Sequence, residues 1–219
     1  LLGVGGTTNL LVAVGNHGRL LTSHNSWTNV VTKNDLGQAV TNRVNTLGIL
    51  WEAVNPKPTV NDLQGVAALG DTWVVTGGKG TVLTTSDGKQ WSKHQAPTTG
   101  ILTSVEAFNG RFVATGEDGV ILISPNGVDW TEQISGTTEW IYRVRAFDDQ
   151  LVAVGQAGTL LTSANGENWA RRESGTDRWL NDVTRVGDAW YVVGANGTVL
   201  TSPDLESWQA KGTITGLSL

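Results

Sequence analysis

Two short segments of the chain combine aromatic and charged side chains. Residues 140–143 read "WIYR" and residues 179–182 read "WLND", so the two segments lie 39 residues apart. Trp and Tyr present a broad apolar ring with a polar edge, which suits stacking on a sugar ring or packing against a peptide. The neighbouring charged and amide groups would supply hydrogen bonds. We therefore predict a ligand-binding site that consists of Trp140, Tyr142, Arg143, Trp179, Asn181 and Asp182.

A sequence repeat must position these residues. Trp91, Trp130, Trp169 and Trp208 are spaced 39 residues apart, and a shorter copy, "GRLLTSHNSW", occupies 18–27. Each unit contains four short runs rich in Val, Leu, Ile, Thr and Trp, separated by Gly, Asn and Asp, which is the pattern of β-strands and turns. Four strands in a unit of about 40 residues predict one blade of a β-propeller.

The turn before the repeated tryptophan resembles a known motif. "SDGKQW", "SPNGVDW" and "SANGENW" resemble the Asp-box of BNR repeats in sialidase-like propellers. The 39-residue unit is similar to BNR arrays related to the photosystem II assembly factor family and to arrays of bacterial envelope proteins. The resemblance implies a propeller and favours a protein partner, but it implies little about catalysis, because the Asp-box lies on the face opposite the sialidase active site. "SPDLESW" departs from the motif, with Leu205 where Gly is usual.

The repeated turn has a mechanical interpretation. We expect its Asn or Asp side chain to accept hydrogen bonds from backbone N–H groups further along the turn. We expect the tryptophan that follows to fill the space between neighbouring blades, mostly buried. The motif would then stabilise the blade and bind no ligand.

The first unit is longer than the others. Trp27 and Trp91 are 64 residues apart, so we predict an insertion of 25 residues between blades 1 and 2, at about 32–58. Its apolar residues recur at helical spacing, whereas its Gly and β-branched residues favour a β-hairpin, and both structures stay open here. The insertion would be a cap on the first two blades or a lid over the ligand, with Trp51 as the candidate lid residue.

The length of the repeat predicts a closed ring. Leu1, Leu180 and Leu219 hold the same position in the unit, so the chain starts where a first strand starts and ends where the next would begin. We predict an all-β, five-bladed β-propeller with four antiparallel strands per blade, as one domain over 1–219. A fragment of a longer array is the alternative. The predicted blades are approximately 1–33, 59–97, 98–136, 137–175 and 176–219.

In such a ring the charged residues of neighbouring blades would meet near the central channel. We expect Arg143 to pair with Asp182 and Glu106 to pair with Arg145. Two interpretations stay open. The ion pairs either fill a narrow channel and only stabilise the fold, or they form the floor of a polar pocket with the aromatic residues at its rim.

The composition narrows the class of protein. The chain has a net charge of −5, which argues against nucleic acid as a partner, and no apolar run approaches the length of a membrane span. It contains no cysteine, and the three histidines His17, His24 and His94 lack the spacing of metal ligands, so we predict no metal site and no cofactor. The chain begins at Leu1 and contains no methionine. We expect a processed mature chain or an excised domain, outside the cell or in the cell envelope.

Enzyme chemistry finds little support in these residues. Sialidase-type catalysis needs three clustered arginines and a Tyr–Glu pair, and Tyr occurs only at 142 and 191. A two-carboxylate glycosidase is the alternative, with its carboxylates drawn from Asp62, Glu117, Asp118, Glu139, Asp177 and Asp182. We predict no catalytic residue and a non-enzymatic binding or scaffolding propeller, whose ligand is a carbohydrate or a protein and which can belong to a larger assembly.

Overall fold

The repeated runs form β-strands in the computed structural model, which describes residues 1–211. The end of the predicted fifth blade, 212–219, lies outside the described residues. Four-stranded antiparallel sheets account for most of the strands. In their inner strands, Val, Leu and Ile either alternate with other residues or follow one another directly. These side chains fit a pleated and buried surface.

Five sheets follow one another along the chain. Sheet 1 contains β1 (Gly3–Gly6), β2 (Leu10–Gly15), β3 (Arg19–His24) and β6 (Glu52–Ala53). Sheet 2 contains β7 (Leu63–Leu69), β8 (Thr72–Gly77), β9 (Thr81–Thr85) and β10 (Ser92–Gln95). Sheet 3 contains β11 (Leu102–Phe108), β12 (Arg111–Gly116), β13 (Ile121–Ser124) and β14 (Thr131–Gln133). Sheet 4 contains β15 (Ile141–Ala146), β16 (Leu151–Gly155), β17 (Leu160–Ser163) and β18 (Ala170–Arg171). Sheet 5 contains β19 (Leu180–Val186), β20 (Ala189–Gly194), β21 (Thr198–Ser202) and β22 (Gln209–Ala210).

Neighbouring sheets pack face to face, as the blades of a propeller do. The first strands contact one another in the order β1, β7, β11, β15 and β19. Four apolar clusters fill the spaces between consecutive sheets; the cluster between sheets 2 and 3, for example, joins Val74 and Val82 to Leu102 and Phe112. The core is therefore divided among the junctions between sheets, and the predicted all-β propeller fold is confirmed.

The predicted closed ring of five blades is not confirmed. Within the described residues, β1 and β19 lack the packing that joins the other first strands. Leu1 on the outer side of sheet 1 and Val193 on the outer side of sheet 5 are exposed. Within residues 1–211, one face of sheet 1 and one face of sheet 5 therefore have no neighbouring sheet.

The extra residues of the first unit form a β-hairpin, and the helical alternative is wrong. Strands β4 (Trp27–Lys33) and β5 (Ala39–Asn45) pair along their whole length and are mostly exposed. The hairpin lies inside sheet 1, between β3 and β6, so the predicted position between blades 1 and 2 and the predicted end of blade 1 near residue 33 are corrected.

The hydrogen bonds of the first unit explain this correction. The amide of Gly48 donates to Ser23 Oγ at 2.8 Å, and Trp51 Nε1 donates to the carbonyl of Gly48 at 3.1 Å. The other units have the same two bonds, for instance between Gly127 and Ser124 and between Trp130 and Gly127. Trp51, and not Trp27, is therefore the repeated tryptophan of sheet 1.

The repeated turn is built as expected from the sequence. Asn126 Oδ1 accepts from the amides of Val128 and Asp129 at 2.9 Å each. The tryptophans Trp91, Trp130 and Trp169 pack against the clusters between sheets and are mostly, but not completely, buried, as the sequence predicts. In the last unit, Leu205 replaces glycine at φ 65° and packs in the cluster between sheets 4 and 5.

A second repeated turn joins the second and third strands of each sheet. It is one turn of 3-10 helix, at Asn16–Gly18, Gly78–Gly80, Glu117–Gly119, Gln156–Gly158 and Ala195–Gly197. Gly119 has φ 70°, and a Cβ there would lie 2.0 Å from the carbonyl oxygen of Thr137. Only glycine permits this close approach between the turn and the next linker.

Candidate functional site

A β-bulge at one repeat position directs the charged side chains. The pairing of first and second strands shifts by one residue around Gln64, Thr103, Tyr142 and Asn181. A bulge re-aims the side chains beside it. Because side chains alternate along a strand, Arg143 and Arg145 after the bulge of sheet 4 lie on one side. Both line the central cavity.

The central cavity has a volume of about 300 Å³ and follows the first strands of sheets 1 to 4. Sheets 1 and 2 contribute mainly small side chains, including Gly3, Gly5 and Gly65, whereas sheets 3 and 4 contribute Glu106, Arg143 and Arg145. The glycines of sheets 1 and 2 leave this space open, and the charged groups of sheets 3 and 4 line its other side.

Arg145 is the centre of an ion-pair network in this region. Its Nε and Nη2 atoms donate to the two carboxylate oxygens of Asp182 at 3.0 and 2.9 Å, and its Nη1 lies 3.8 Å from Glu106 Oε1. Arg143 Nε lies 3.9 Å from Asp182 Oδ1 and, within the described part of the chain, is buried without a hydrogen bond. The two predicted pairs are within ion-pair distance, but the bidentate Arg145–Asp182 pair was not predicted.

The two carboxyl groups of this network have pKa values that are shifted in opposite directions. Burial raises the pKa of Glu106 to about 7, although the charges of Arg145 and Arg143 oppose the shift. Burial also disfavours ionised Asp182, but the hydrogen bonds and charge of Arg145, helped by the Val183 amide, hold the pKa of Asp182 below its ordinary value. At neutral pH Asp182 is therefore ionised, while Glu106 is partly protonated.

Three aromatic residues form a second group, which we call the aromatic patch: Trp140, Tyr142 and Trp179. The ring centroids of Trp140 and Tyr142 are 6.0 Å apart, and those of Tyr142 and Trp179 are 5.7 Å apart. Trp179 is 50% exposed, whereas the other two are half-buried, and burial raises the pKa of Tyr142. The patch thus consists of an exposed ring, Trp179, packed against Tyr142, and of Trp140 packed against the other side of this row.

The backbone beneath the patch is held by the 3-10 turns. The carbonyl of Trp140 accepts from the amide of Gln156 at 2.8 Å, and the carbonyl of Trp179 accepts from the amide of Ala195 at 2.8 Å. The corresponding residues of sheets 2 and 3, Asp62 and Ile101, make the same kind of bond. The repeat thus places four side chains equivalently, and two of the four are tryptophan.

The predicted site residues separate into these two groups. Trp140, Tyr142 and Trp179 form the aromatic patch, which lies outside the lining of the central cavity. Arg143 and Asp182 belong to the ionic network, and Asn181 is exposed at its bulge. The six predicted site residues do not include Glu106 and Arg145, which the sequence analysis considered only as an ion pair. Both line the central cavity, and their spacing of two residues from Ser104 and Arg143 is the signal that places them on that side.

Trp51, the candidate lid residue, lies in a different surface. It lines an open apolar groove of about 530 Å³ on sheet 1, together with Leu1, Leu2 and Leu21. Its role as a lid stays a prediction.

Two of the carboxylates considered for glycosidase chemistry have structural partners. Asp62 Oδ1 accepts from the amide of His17 at 2.6 Å, and Glu117 Oε2 accepts from the amide of Ile101 at 2.8 Å. Each of these carboxylates thus joins a 3-10 turn to a linker that precedes a first strand. Among residues 1–211, His, Asp and Glu side chains nowhere gather in a group of three that could hold a metal ion. In the same part of the chain, no helix has the length and apolar character of a membrane span.

Solved structures with the same fold include an assembly factor. The chain resembles "YCF48 bound to D1 peptide" with a TM-score of 0.68 and 18% identity, over 95% of this chain and 67% of that chain. It resembles YCF48 from Cyanidioschyzon merolae with a TM-score of 0.62 and 17% identity, over 100% and 87% of the two chains. The WD40 β-propeller domain of Doa1 gives a TM-score of 0.58 and 10% identity, over 91% and 63%. At these identities the likeness shows the fold alone.

Comparison of the sequence with curated proteins gives no significant match. A family model does match: the DUF6242 β-propeller domain aligns with residues 49–180, which is more than half of the chain. The matched region runs from the end of sheet 1 to the start of sheet 5 and contains all three residues of the aromatic patch. The chain therefore belongs to the DUF6242 β-propeller domain family.

Proposed function

We propose that this chain is a non-enzymatic binding module that recognises a segment of a protein partner at the aromatic patch. The observation that carries the proposal is the half-exposed ring of Trp179, which packs against Tyr142, which in turn packs against Trp140. An exposed aromatic group of this kind is unfavourable in water, and interfaces concentrate their binding energy in such residues.

The charged groups beside the patch in sequence face the central cavity. Arg143 follows Tyr142 directly, but its side chain lines the cavity and its Nε is buried without a hydrogen-bond partner among the described residues. The contact at the patch itself is therefore aromatic and apolar. The partner we propose is a peptide segment that places an apolar or aromatic side chain on the patch.

A propeller of similar fold has been solved with a peptide, since the YCF48 structure is described as bound to D1 peptide. This supports a protein ligand over a carbohydrate for the present chain. The location that we propose, outside the cell or in the cell envelope, rests on the sequence resemblance to envelope arrays. Fractionation of cells that produce the protein tests the location.

The binding proposal is tested with a displayed library of random peptides and, in parallel, a glycan array. Peptides selected on the wild type should bind Trp179→Ala at least about tenfold more weakly, which corresponds to about 1.4 kcal/mol. The melting temperature should change little, because the ring is half-exposed. Trp27→Ala is the matched control, since Trp27 is also exposed but lies on the hairpin.

The opposite results separate the alternatives. A large loss of stability in Trp179→Ala with unchanged affinity would mean that the aromatic patch only packs the fold. Glycans that bind the wild type and lose affinity in the same variant, without any peptide ligand, would replace the protein partner by a carbohydrate.

Glycoside hydrolysis is the second candidate, because one specific observation favours it. Two carboxyl groups with pKa values pushed apart, as in Glu106 and Asp182, are the usual basis of acid–base catalysis. Against it, both oxygens of Asp182 are held by Arg145, which removes it as a free nucleophile. Hydrolysis of a glycoside panel by the wild type, abolished in Glu106→Gln, would establish this activity; no hydrolysis would exclude it for that panel.

A further inference from the structure

The central cavity brings together two positive charges, of which one is fully paired. Arg143 and Arg145 both line the cavity. Asp182 accepts from Arg145 through both of its carboxylate oxygens, and its Oδ1 also accepts from the amide of Val183 at 2.9 Å. Asp182 therefore neutralises Arg145, and the Nε donor of Arg143 is left without a hydrogen bond within residues 1–211.

A count of the charges at the cavity indicates which ligand would complete it. Among the described residues, its lining contains the ionisable groups Arg143, Arg145 and Glu106, and Asp182 joins them from β19 through its bonds to Arg145. Strands β1 and β7 add no ionisable group to this lining. When Glu106 is protonated, two positive charges face one negative charge, so a monoanion would balance the site.

The side of the cavity opposite these charges leaves room for a ligand. Strands β1 and β7 line it with Gly3, Gly5, Gly65 and Ala67, whose side chains are absent or short. The resulting volume of about 300 Å³ is sufficient for a small organic acid. A carboxylate suits the charged side, because a guanidinium group binds it through paired N–H donors, as Arg145 already does with a carboxylate of the chain.

We propose that the central cavity binds a small carboxylate anion on the guanidinium group of Arg143, and that Glu106 takes up a proton when the anion enters. An acceptor at Arg143 offsets the cost of a buried N–H donor that has no partner. The aromatic patch lies outside the lining of this cavity, so the anion site goes beyond the proposed peptide site and does not depend on it.

Glu106 couples the anion site to pH. Its Oε1 lies 3.8 Å from Arg145 Nη1 and its side chain lines the same cavity, so its carboxylate competes with an incoming anion for the positive charges. Burial raises the pKa of Glu106 to about 7; the charge of Asp182 adds to this shift, while those of Arg145 and Arg143 oppose it. A bound anion places a second negative charge beside Glu106 and raises this pKa further. By linkage, the anion binds more tightly at pH 6, where Glu106 is mostly protonated, than at pH 8.

The probe for this site is acetate, which stays ionised between pH 6 and pH 8, titrated against an equal concentration of chloride. NMR follows the Nε–H signal of Arg143, which is identified by its loss in Arg143→Gln, and the backbone amides of Gly65 and Ser104 in the cavity lining. Acetate should shift these signals saturably, and chloride should not. Arg143→Gln should weaken binding at least about tenfold, as the loss of a hydrogen bond to a charged group does. Arg43→Gln is the matched control and should bind acetate like the wild type, since Arg43 is exposed on the hairpin.

The role of Glu106 is tested by the same titration at the two pH values. The wild type should bind acetate more tightly at pH 6 than at pH 8. Glu106→Gln should bind it equally at both pH values and more tightly than the wild type at pH 8, because its side chain never becomes negative. Both proteins contain the same histidines, whose titration therefore cancels in the comparison.

Three results would overturn the proposal: wild-type signals that do not shift saturably or that respond alike to acetate and chloride, an unchanged affinity in Arg143→Gln, or the same pH profile in the wild type and Glu106→Gln. Circular dichroism verifies that each variant is folded. The wild-type titrations at the two pH values decide the question even if a variant does not fold.

Discussion

A single residue can depart from the repeat when the burial of its side chain offsets the backbone strain that it introduces. Leu205 occupies the glycine position of its turn at φ 65°, a conformation that costs a residue with a Cβ about 1–2 kcal/mol. Its side chain is 7% exposed in the cluster between sheets 4 and 5. Burial of a leucine contributes about 1.5–3 kcal/mol. Packing therefore outweighs the backbone strain at this position.

This balance predicts an order of stability at position 205. Leu205→Ala and Leu205→Gly both lose the apolar contacts, but glycine also removes the strain. Both variants should unfold more easily than the wild type, and the alanine variant should be less stable than the glycine variant by about 1 kcal/mol. Urea unfolding of the three proteins measures the difference. Equal stability of the two variants would show that the backbone at 205 is not strained.

Glu106 makes the stability depend on pH. Its pKa is raised to about 7 in the folded protein, so between the ordinary carboxyl pKa and about 7 the folded state binds one proton more than the unfolded state. Stability should fall as the pH rises through this window and level off above it. The side chain is 28% exposed, so the contribution is on the order of 2 kcal/mol.

The variant Glu106→Gln should lack this pH dependence. Its stability relative to that of the wild type should therefore increase from pH 5 to pH 8. The difference between the two proteins cancels the titration of the histidines, which both contain. Thermal melting at both pH values gives the result. A pH profile that is parallel in the two proteins would mean that Glu106 is ionised throughout.

At the scale of elements, the bulges and the hairpin show how copies of one repeat differ in their side chains and in the length of one turn. The bulge recurs in sheets 2 to 5, but the residue there is Gln64, Thr103, Tyr142 or Asn181, so the same geometry serves packing in one sheet and the aromatic patch in another. The hairpin β4–β5 enters at the repeated turn of sheet 1 and preserves the bonds of Ser23 and Trp51 on either side. Because it leaves the turn intact, the sheet tolerates it.

The hairpin should accordingly be removable. We expect a variant in which Pro-Asn replaces residues 24–47, which recreates the Ser-Pro-Asn-Gly turn of sheet 3, to fold with a stability within about 1 kcal/mol of the wild type. The reason is that the hairpin side chains are mostly exposed and contribute little burial. Urea unfolding of the shortened protein checks this. Loss of the folded state would show that the hairpin completes sheet 1.

At the scale of the whole molecule, stability lies in the junctions between sheets and not in one central core. A residue at a covered junction and its equivalent on a free face should therefore respond differently to the same change. Leu102→Ala should cost about 2–5 kcal/mol because Leu102 is fully buried. Leu1→Ala should cost far less in dilute solution because Leu1 is 68% exposed. Unfolding at low protein concentration compares the two, and equal losses would mean that Leu1 is covered.

The repeat alone was sufficient to derive the strands, the turns and the propeller fold, because each depends on short-range features: alternation of apolar residues, Asn or Asp turns, and a constant spacing of 39 residues. The repeated spacing also brought Arg143 and Asp182 together correctly, since equivalent positions on neighbouring sheets must face each other. The helical spacing within the first unit was misleading, because exposed strands have no buried face to impose an alternating pattern.

Other features depended on the packing of sheets against one another. Trp27 and Trp51 are both plausible repeat tryptophans by sequence, and only the hydrogen bonds to Ser23 and Gly48 distinguish them. Arg145 selects Asp182 through the geometry of its guanidinium group, which no spacing reveals. The closure of the ring depends on the angle between successive sheets, which accumulates over the whole stack, and a count of residues does not determine that angle. For this reason the sequence by itself determined what a blade is, while the tertiary structure decided which faces of the blades pack against each other within residues 1–211.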